Sequence, residues 1–124
     1  MKYLVSIHRP ADFDHAAQLG PDVRLAIDAV NDEMVAAGVR IFVGGLRSPS
    51  EAVSITRQSD GELVVSDGPF LQASDYVGGF YVDGFWVLEC ESADEAILWG
   101  RKAAQACRGS VEVRPFAGAA VTIP

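Results

Sequence analysis

The sequence has few cysteines, no long apolar run and no basic region. Its 124 residues include two cysteines, and ten lysines and arginines stand against seventeen aspartates and glutamates, for a formal net charge of -7. No apolar run approaches the roughly 20 residues that a membrane-spanning helix needs, and the opening MKYLVSIHRP alternates too strongly for a secretory signal. An acidic field repels phosphate backbones and anionic membranes. We therefore expect no nucleic-acid partner, no membrane association and a cytoplasmic location.

Several catalytic and cofactor motifs are also missing from the sequence. It contains no Walker loop, no G-x-G-x-x-G after a strand, no G-x-S-x-G turn and no zinc-type cysteine spacing. Asp12, Asp14 and His15 have the chemistry of metal ligands, but three such residues in a loop favour a solvated loop instead. His15 could still fold over a pocket from there. The sequence therefore predicts no cofactor and no bound metal.

The two cysteines, Cys90 and Cys107, lie at opposite ends of a predicted helix. A rise of about 1.5 Å per residue puts the sulfurs roughly 20 Å apart, whereas a disulfide needs Cα atoms within about 7 Å of each other. We expect two free thiols, as in a reducing compartment. Neither cysteine has a histidine beside it in the sequence, which argues against a catalytic cysteine.

Apolar periodicity predicts an alternation of strands and helices. A stripe with spacings of four, three and four residues indicates a helix that begins near Pro21 and stops at Gly38. A second helix begins at a capping box formed by Ser92 and Glu95. The remaining predicted elements are a strand at 3–8, a polar loop at 9–20, a strand at 39–46, a hairpin of 52–57 and 62–67 that turns at Asp60-Gly61, an aromatic strand at 78–91 broken near Asp83-Gly84, and an edge strand at 110–116.

This element order predicts an α+β, ferredoxin-like sandwich, in which two helices cover one face of an antiparallel sheet and an extra β-hairpin is inserted. The opposite sheet face has no cover within the chain. Leu4, Phe116 and either Trp86 or Phe85 would point there, and so large an apolar surface favours a second copy packed against it. We therefore expect a homodimer through the open sheet face.

Short motifs in the same order carry a resemblance to a known family. These are MKYLVSI, AAGV, GGL, DGPF, GGFYV, SADEAILWG and GSVEVRPF, spread over residues 1–116. Together they resemble the YCII-related, DGPF-type family of mostly bacterial proteins, many of unassigned function. The resemblance implies a ferredoxin-like fold in the dimeric α+β barrel superfamily, and it implies a fold more firmly than a reaction.

Two features depart from the family's pattern. Relatives follow DGPF with a charged, AETKE-like run, whereas this chain has LQASD at 71–75. Some relatives also carry a His–Asp pair suspected of catalysis, with the histidine on the first helix. The helix predicted from Pro21 contains no histidine, so the sequence does not support this pair.

His8 and Asp67 are the candidate catalytic residues. Asp67 precedes Gly68-Pro69, where it could form an Asx-type turn, aim its carboxylate into a cleft, or do both. Histidine shuttles protons near neutral pH, and His8 shares a strand face with Ser6.

The candidate substrate-binding residues are Ser6, Phe70, Glu112 and Arg114. The alternative to a catalytic or ligand-binding site is that these polar residues form a network that fixes dimer register. Arg9 and Arg47 could clamp a carboxylate, but the sequence favours surface positions for both.

The sequence thus predicts one domain over 1–124 that binds an unknown small molecule as a homodimer. In one hypothesis it is a cofactor-free enzyme, in which His8 accepts a proton, Asp67 orients it or serves as an alternative base, and Arg114 holds substrate charge. In the other it is a non-catalytic dimeric binding or regulatory module. The sequence leaves open which of the two applies.

Overall fold

The computed structural model describes residues 1–70 and 80–118. Strands and helices alternate along these two ranges in nearly the predicted order. The elements are β1 (Lys2–Pro10), α1 (His15–Gln18), α2 (Pro21–Ala36), β2 (Arg40–Gly45), a 3-10 turn (Pro49–Glu51), β3 (Val53–Arg57), β4 (Leu63–Asp67), β5 (Phe80–Glu89), α3 (Ala93–Cys107) and β6 (Ser110–Pro115).

Four of the strands form an antiparallel sheet in the order β2-β5-β1-β6. The opening strands of the two β-α-β units, β1 and β5, lie in the centre and the closing strands lie outside, which is the ferredoxin-like arrangement. β6 is an edge strand, as Pro115 indicated, because proline has no backbone N–H to donate to a neighbouring strand. The predicted α+β fold class is confirmed.

The hydrophobic core lies between this sheet and the helices α2 and α3. Val5, Trp86 and Leu88 from the sheet meet Met34 and Ala103 from the helices, and all five are buried. Phe85 points to the opposite face, because successive strand residues alternate. The sequence left Trp86 and Phe85 as alternatives for the open face, and Phe85 is the one that lies there.

The helix ends follow their sequence signals closely. The Oγ of Ser92 accepts the backbone N–H of Glu95 at 3.1 Å, so the predicted cap of α3 is present. Arg108 ends that helix with a φ of 55°. Gly38 adopts a φ of 72° after α2, a conformation that glycine reaches without steric cost.

The hairpin of β3 and β4 is a separate two-stranded sheet. It turns at the predicted position, where Gly61 has a φ of 90°. Its side chains Val53, Ile55, Leu63 and Val65 are all exposed. A two-stranded hairpin is only marginally stable alone, so this exposed apolar surface is unusual.

The polar segment 9–20 is more ordered than predicted. β1 continues to Pro10, and the short helix α1 follows because Asp14 caps it, with Oδ1 accepting the N–H groups of Ala16 and Ala17 at 3.1 and 3.2 Å. A four-residue helix is too short to leave a periodic apolar pattern. Within the described ranges, no helix is long and apolar enough to cross a membrane.

Candidate functional site

A bulge in the central strand pair places Asp83. Ile7 of β1 pairs with Gly84 of β5, but the next residue, His8, pairs with Val82, so Asp83 is the extra residue. Such bulges bend a strand and re-aim a side chain. The predicted break at Asp83-Gly84 is therefore a bulge inside a continuous strand.

Gly84 allows β2 to approach the bulge closely. A Cβ at position 84 would lie 2.9 Å from the carbonyl oxygen of Gly44 and 3.1 Å from the Cα of Gly45. The backbone of Leu46 then donates to the carbonyl oxygen of Asp83 at 2.8 Å. The absence of a side chain at Gly84 thus helps to fix the backbone that carries Asp83.

The Asp83 carboxylate contacts two basic side chains. Its Oδ1 lies 2.8 Å from Nε2 of His15, and its Oδ2 accepts a hydrogen bond from Nε of Arg9 at 3.4 Å. Arg9 is 2% exposed and Asp83 13%, whereas the His15 side chain is 48% exposed. The carboxylate therefore bridges a buried cation and an imidazole at the surface.

Arg9 is buried and its charge is compensated, contrary to its predicted surface position. Its Nη1 donates to the carbonyl oxygen of Cys107 at 2.7 Å, at the end of α3, where a cation also meets the negative end of the helix dipole. Its guanidinium carbon lies 4.3 Å from the ring centroid of Phe13. Gly109 leaves room for it, since a Cβ there would lie 2.6 Å from Nη1.

His15 has the geometry of an oriented imidazole. It is the first residue of α1, and the Phe13 ring lies edge-on to it, with centroids 4.9 Å apart. When Nε2 carries the proton and donates it to Asp83, Nδ1 is an acceptor. A carboxylate that fixes one ring nitrogen and leaves the other to a ligand is the arrangement of a general base.

Tyr81 lies close to the same charges. Burial and the neighbouring Asp83 carboxylate raise the pKa of the Tyr81 phenol, and Arg9 lowers it by a smaller amount. The phenol is therefore protonated at neutral pH and is available as a hydrogen-bond donor.

Neither cysteine is suited to nucleophilic chemistry. Both are free, as the sequence predicted, and both are buried. Burial raises the pKa of the Cys107 thiol to about 11 and also raises the pKa of Cys90. Because the thiolate is the reactive form, these two residues are packing groups.

A cleft of about 740 Å³ adjoins the bulge. It lies between the hairpin and the start of β5, and most of its lining is apolar. Tyr81, Val82 and Leu46 line its inner side, next to Asp83. The remaining lining residues are Arg47, Ser48, Pro49, Glu51, Ala52, Val53, Ser54, Ile55, Pro69 and Phe70.

Ser6 and His8, two of the residues singled out from the sequence, lie together on the open sheet face. Ser6 Oγ is 3.2 Å from Nε2 of His8. Glu112 pairs in register with Ser6, and its carboxylate lies 3.3 Å from Nε of Arg114. The structure thus brings four predicted residues to one face, where they pair with one another.

Asp67 and Phe70 lie away from that face, at the β3–β4 hairpin. Asp67 ends β4 opposite Val53 and is exposed, and Phe70 lines the cleft. Gly68 has a φ of 96°, as the turn required. Among hydrogen bonds between described residues, none joins Asp67 to His8, so their joint catalytic role stays a prediction.

Sequence reasoning missed Asp83, Tyr81 and the burial of Arg9. One signal was present: an Asp-Gly pair inside an apolar strand is typical of a bulge. No comparable signal marked Arg9, because its partners are distant in sequence. No three His, Cys, Asp or Glu residues cluster as metal ligands anywhere in 1–70 and 80–118.

Comparison with known proteins agrees with the resemblance seen in the sequence. The family model for the YCII-related domain matches residues 1–117. The chain belongs to the YCII-related family. It is 35% identical over 121 residues to the uncharacterized protein R00369 of Rhizobium meliloti (strain 1021), a match that covers 94% of this chain and 93% of that protein.

Family membership gives the pairing of His15 with Asp83 a particular interest. The resemblance implied a His–Asp pair with its histidine on the first helix, and the sequence analysis found no histidine there. The helix predicted from Pro21, α2, indeed contains no histidine, and His15 begins the short helix α1 that precedes it.

Proposed function

We propose that the chain is a homodimeric, small-molecule-binding enzyme without a cofactor, in which His15 transfers a proton to or from the bound molecule. The observation that carries this proposal is the 2.8 Å contact between His15 Nε2 and Asp83 Oδ1. Asp83 orients the imidazole. Arg9, which is buried, contacts the other carboxylate oxygen of Asp83 and so helps to fix its position.

The site is arranged for proton transfer rather than for nucleophilic attack. The His15 side chain is half exposed, so a ligand can reach the imidazole, whereas Arg9 and Asp83 are largely shielded from solvent. Proton transfer by a positioned imidazole contributes about 10²- to 10⁴-fold in rate. The YCII-related chain therefore has the groups for acid–base chemistry at a C–H or O–H of its ligand.

The homodimer of this proposal forms through the open sheet face. Phe42 and Phe116 are exposed there, and Phe85 and Val87 are half-buried. The rings of Phe42 and Phe85 contact each other in a tilted arrangement, with centroids 5.8 Å apart, so these two residues form adjoining apolar surface. Patches of this kind on a soluble chain favour a protein partner, and a second copy is the partner implied by the family's superfamily.

Deuterium exchange tests the proton transfer with a panel of compounds and needs no identified substrate. The protein is incubated in D₂O with a set of small carbonyl compounds, and loss of C–H signals is followed by NMR. We expect at least one compound to exchange, with a rate that falls about 100-fold or more in His15→Gln. The matched control is His8→Gln, which leaves the exchange rate unchanged.

Three results contradict this proposal. Exchange that persists in His15→Gln removes His15 from the chemistry. Exchange that is lost in His8→Gln instead supports the other catalytic hypothesis, built on His8 and Asp67. A wild-type protein that exchanges no compound of the panel contradicts acid–base catalysis on carbonyl substrates.

The second candidate function is a non-catalytic dimeric binding or regulatory module. The pairing of Ser6 with His8, and of Glu112 with Arg114, favours it for the open face. Side chains that satisfy one another suit a role in dimer register more than a role in chemistry. A ligand that binds wild type and His15→Gln equally, without exchange in either, supports this second function.

A further inference from the structure

The cleft beside Asp83 has apolar walls that no other described residue covers. Leu46, Val53, Ile55 and Phe70 line it and are each more than half exposed, with Ile55 62% exposed and Phe70 70%. Its volume of about 740 Å³ lies within the roughly 300–1,000 Å³ of small-molecule sites. Concave apolar surface of this size points to a small ligand.

The charges that line the cleft neutralise each other. Nε of Arg47 lies 2.9 Å from Oε1 and 3.0 Å from Oε2 of Glu51, and these two are the charged side chains of the lining. The chain as a whole carries a formal charge of -7. A charged ligand would lose its hydration here without gaining an unpaired counter-charge.

Tyr81 contributes a phenol-bearing side chain to the cleft lining. This residue is only 9% exposed, lies on the inner wall and has Asp83 two residues further along β5. Its protonated phenol can hydrogen-bond to a carbonyl or hydroxyl group. A ligand anchored there lies against the strand that carries Asp83.

We infer that the cleft binds an uncharged, largely apolar molecule whose one carbonyl or hydroxyl group contacts Tyr81. This inference rests on the proposed function for its biological meaning, since the bound molecule has to extend beyond the cleft lining to reach His15. Apolar walls from Leu46, Ile55 and Phe70 bind the body of the molecule. The neutral Arg47–Glu51 pair selects against charge.

Two fluorescent probes that differ by one sulfonate test the charge selection. N-phenyl-1-naphthylamine is uncharged, and 1-anilinonaphthalene-8-sulfonate is its anionic counterpart. We expect the wild type to bind the uncharged probe about tenfold tighter or better. In Glu51→Gln the affinity for the anionic probe should rise about fivefold, because Arg47 loses its partner, and the affinity for the uncharged probe should stay the same. Equal binding of both probes by the wild type overturns the inference.

A matched pair of variants in the β3–β4 hairpin tests where the uncharged probe binds. Ile55 lines the cleft, whereas its cross-strand neighbour Val65 does not and is 67% exposed. Ile55→Glu is expected to weaken binding of the uncharged probe about tenfold, and Val65→Glu is expected to change that affinity less than about twofold. Equal losses in both variants place the probe outside the cleft. An Ile55→Glu protein whose mass in solution is halved shows that a second copy covers these walls, which also overturns the inference.

Tyr81→Phe tests the polar anchor. The ketone probe 6-propionyl-2-(dimethylamino)naphthalene should bind this variant about fivefold more weakly, as expected for one lost hydrogen bond, while the uncharged amine probe is retained. An unchanged affinity for the ketone removes Tyr81 from the site.

The same probes separate this inference from the proposed function. His15 does not line the cleft, so His15→Gln should keep the affinity for the uncharged probe within about twofold. Loss of deuterium exchange with intact probe binding supports both statements. Intact exchange with no probe preference overturns the cleft assignment alone, and probe preference without exchange in the wild type overturns the proposed function alone.

Discussion

Arg9 donates a hydrogen bond from Nη1 to the backbone carbonyl oxygen of Cys107, 98 residues away, at 2.7 Å. The same guanidinium donates from Nε to Asp83. One buried cation therefore donates hydrogen bonds both to the last residue of α3 and to the carboxylate of the candidate site. Packing of the helix and geometry of the site depend on the same side chain.

Replacing Arg9 by methionine should strongly destabilise the protein. Removing one partner of a buried ion pair leaves the other charge uncompensated, at a cost of about 3–5 kcal/mol, and Asp83 would lose its only buried cation among the described residues. Urea unfolding measures the change. The control is Arg47→Met, since Arg47 is 85% exposed and surface pairs contribute about 0–1 kcal/mol. Similar losses in both variants would contradict the role given to Arg9.

Gly84 should tolerate no side chain, in contrast to Gly45 on the neighbouring strand. A Cβ at position 84 would lie 2.9 Å from the carbonyl oxygen of Gly44, whereas a Cβ at 45 meets nothing within 4 Å. Gly84→Ala is expected to cost about 1–3 kcal/mol through backbone displacement. Gly45→Ala should stay within about 0.5 kcal/mol of wild type in the same urea unfolding. Equal urea midpoints for the two variants would mean that β2 can move away from residue 84 without a loss of stability.

The fold was predictable because its signals are local. The stripe on α2, the Ser92 cap and the glycine turns each depend on residues a few positions apart, and the order of elements then restricts the topology. The hairpin turn at Gly61 was predicted for the same reason.

The site was harder to predict because its contacts are not local. Arg9 meets Asp83 at a separation of 74 residues, and His15 meets Asp83 at 68. Nothing near Arg9 in the sequence distinguishes a buried arginine from a surface one. His8 was placed correctly beside Ser6 by strand alternation, but alternation cannot show that a bulge turns Asp83 toward another element.

Introducing a charge at Phe42 should separate the proposed dimer. Phe42 is exposed on the open sheet face and contacts Phe85, so Phe42→Glu would bury an unpaired carboxylate in the interface. Light scattering after size exclusion should give twice the chain mass for wild type and one chain mass for the variant. Leu98→Glu, on the exposed side of α3, is the control and should keep the wild-type mass. A monomeric wild type would contradict the dimer.

Cys107 should alkylate slowly in the native protein. Its pKa is raised by burial to about 11 from an ordinary value of 9.0, so its thiolate fraction at pH 8 falls about 100-fold. Iodoacetamide labelling followed by mass spectrometry compares native and urea-unfolded protein. Labelling of native Cys107 at the unfolded rate would contradict its burial.

The raised pKa of Cys107 also makes stability depend on pH in an alkaline window. The folded state holds the thiol proton more tightly than the unfolded state, so the contribution of this group is fully present below about pH 9 and is lost as pH rises towards 11. Urea midpoints should therefore fall more steeply across this window in wild type than in Cys107→Ser, which lacks the titrating thiol. Tyr81, whose pKa is also raised, contributes to the slope of both proteins alike and cancels in the comparison. Parallel slopes would show that Cys107 ionises with equal ease in the folded and unfolded chains, which the burial of its side chain at the end of α3 argues against.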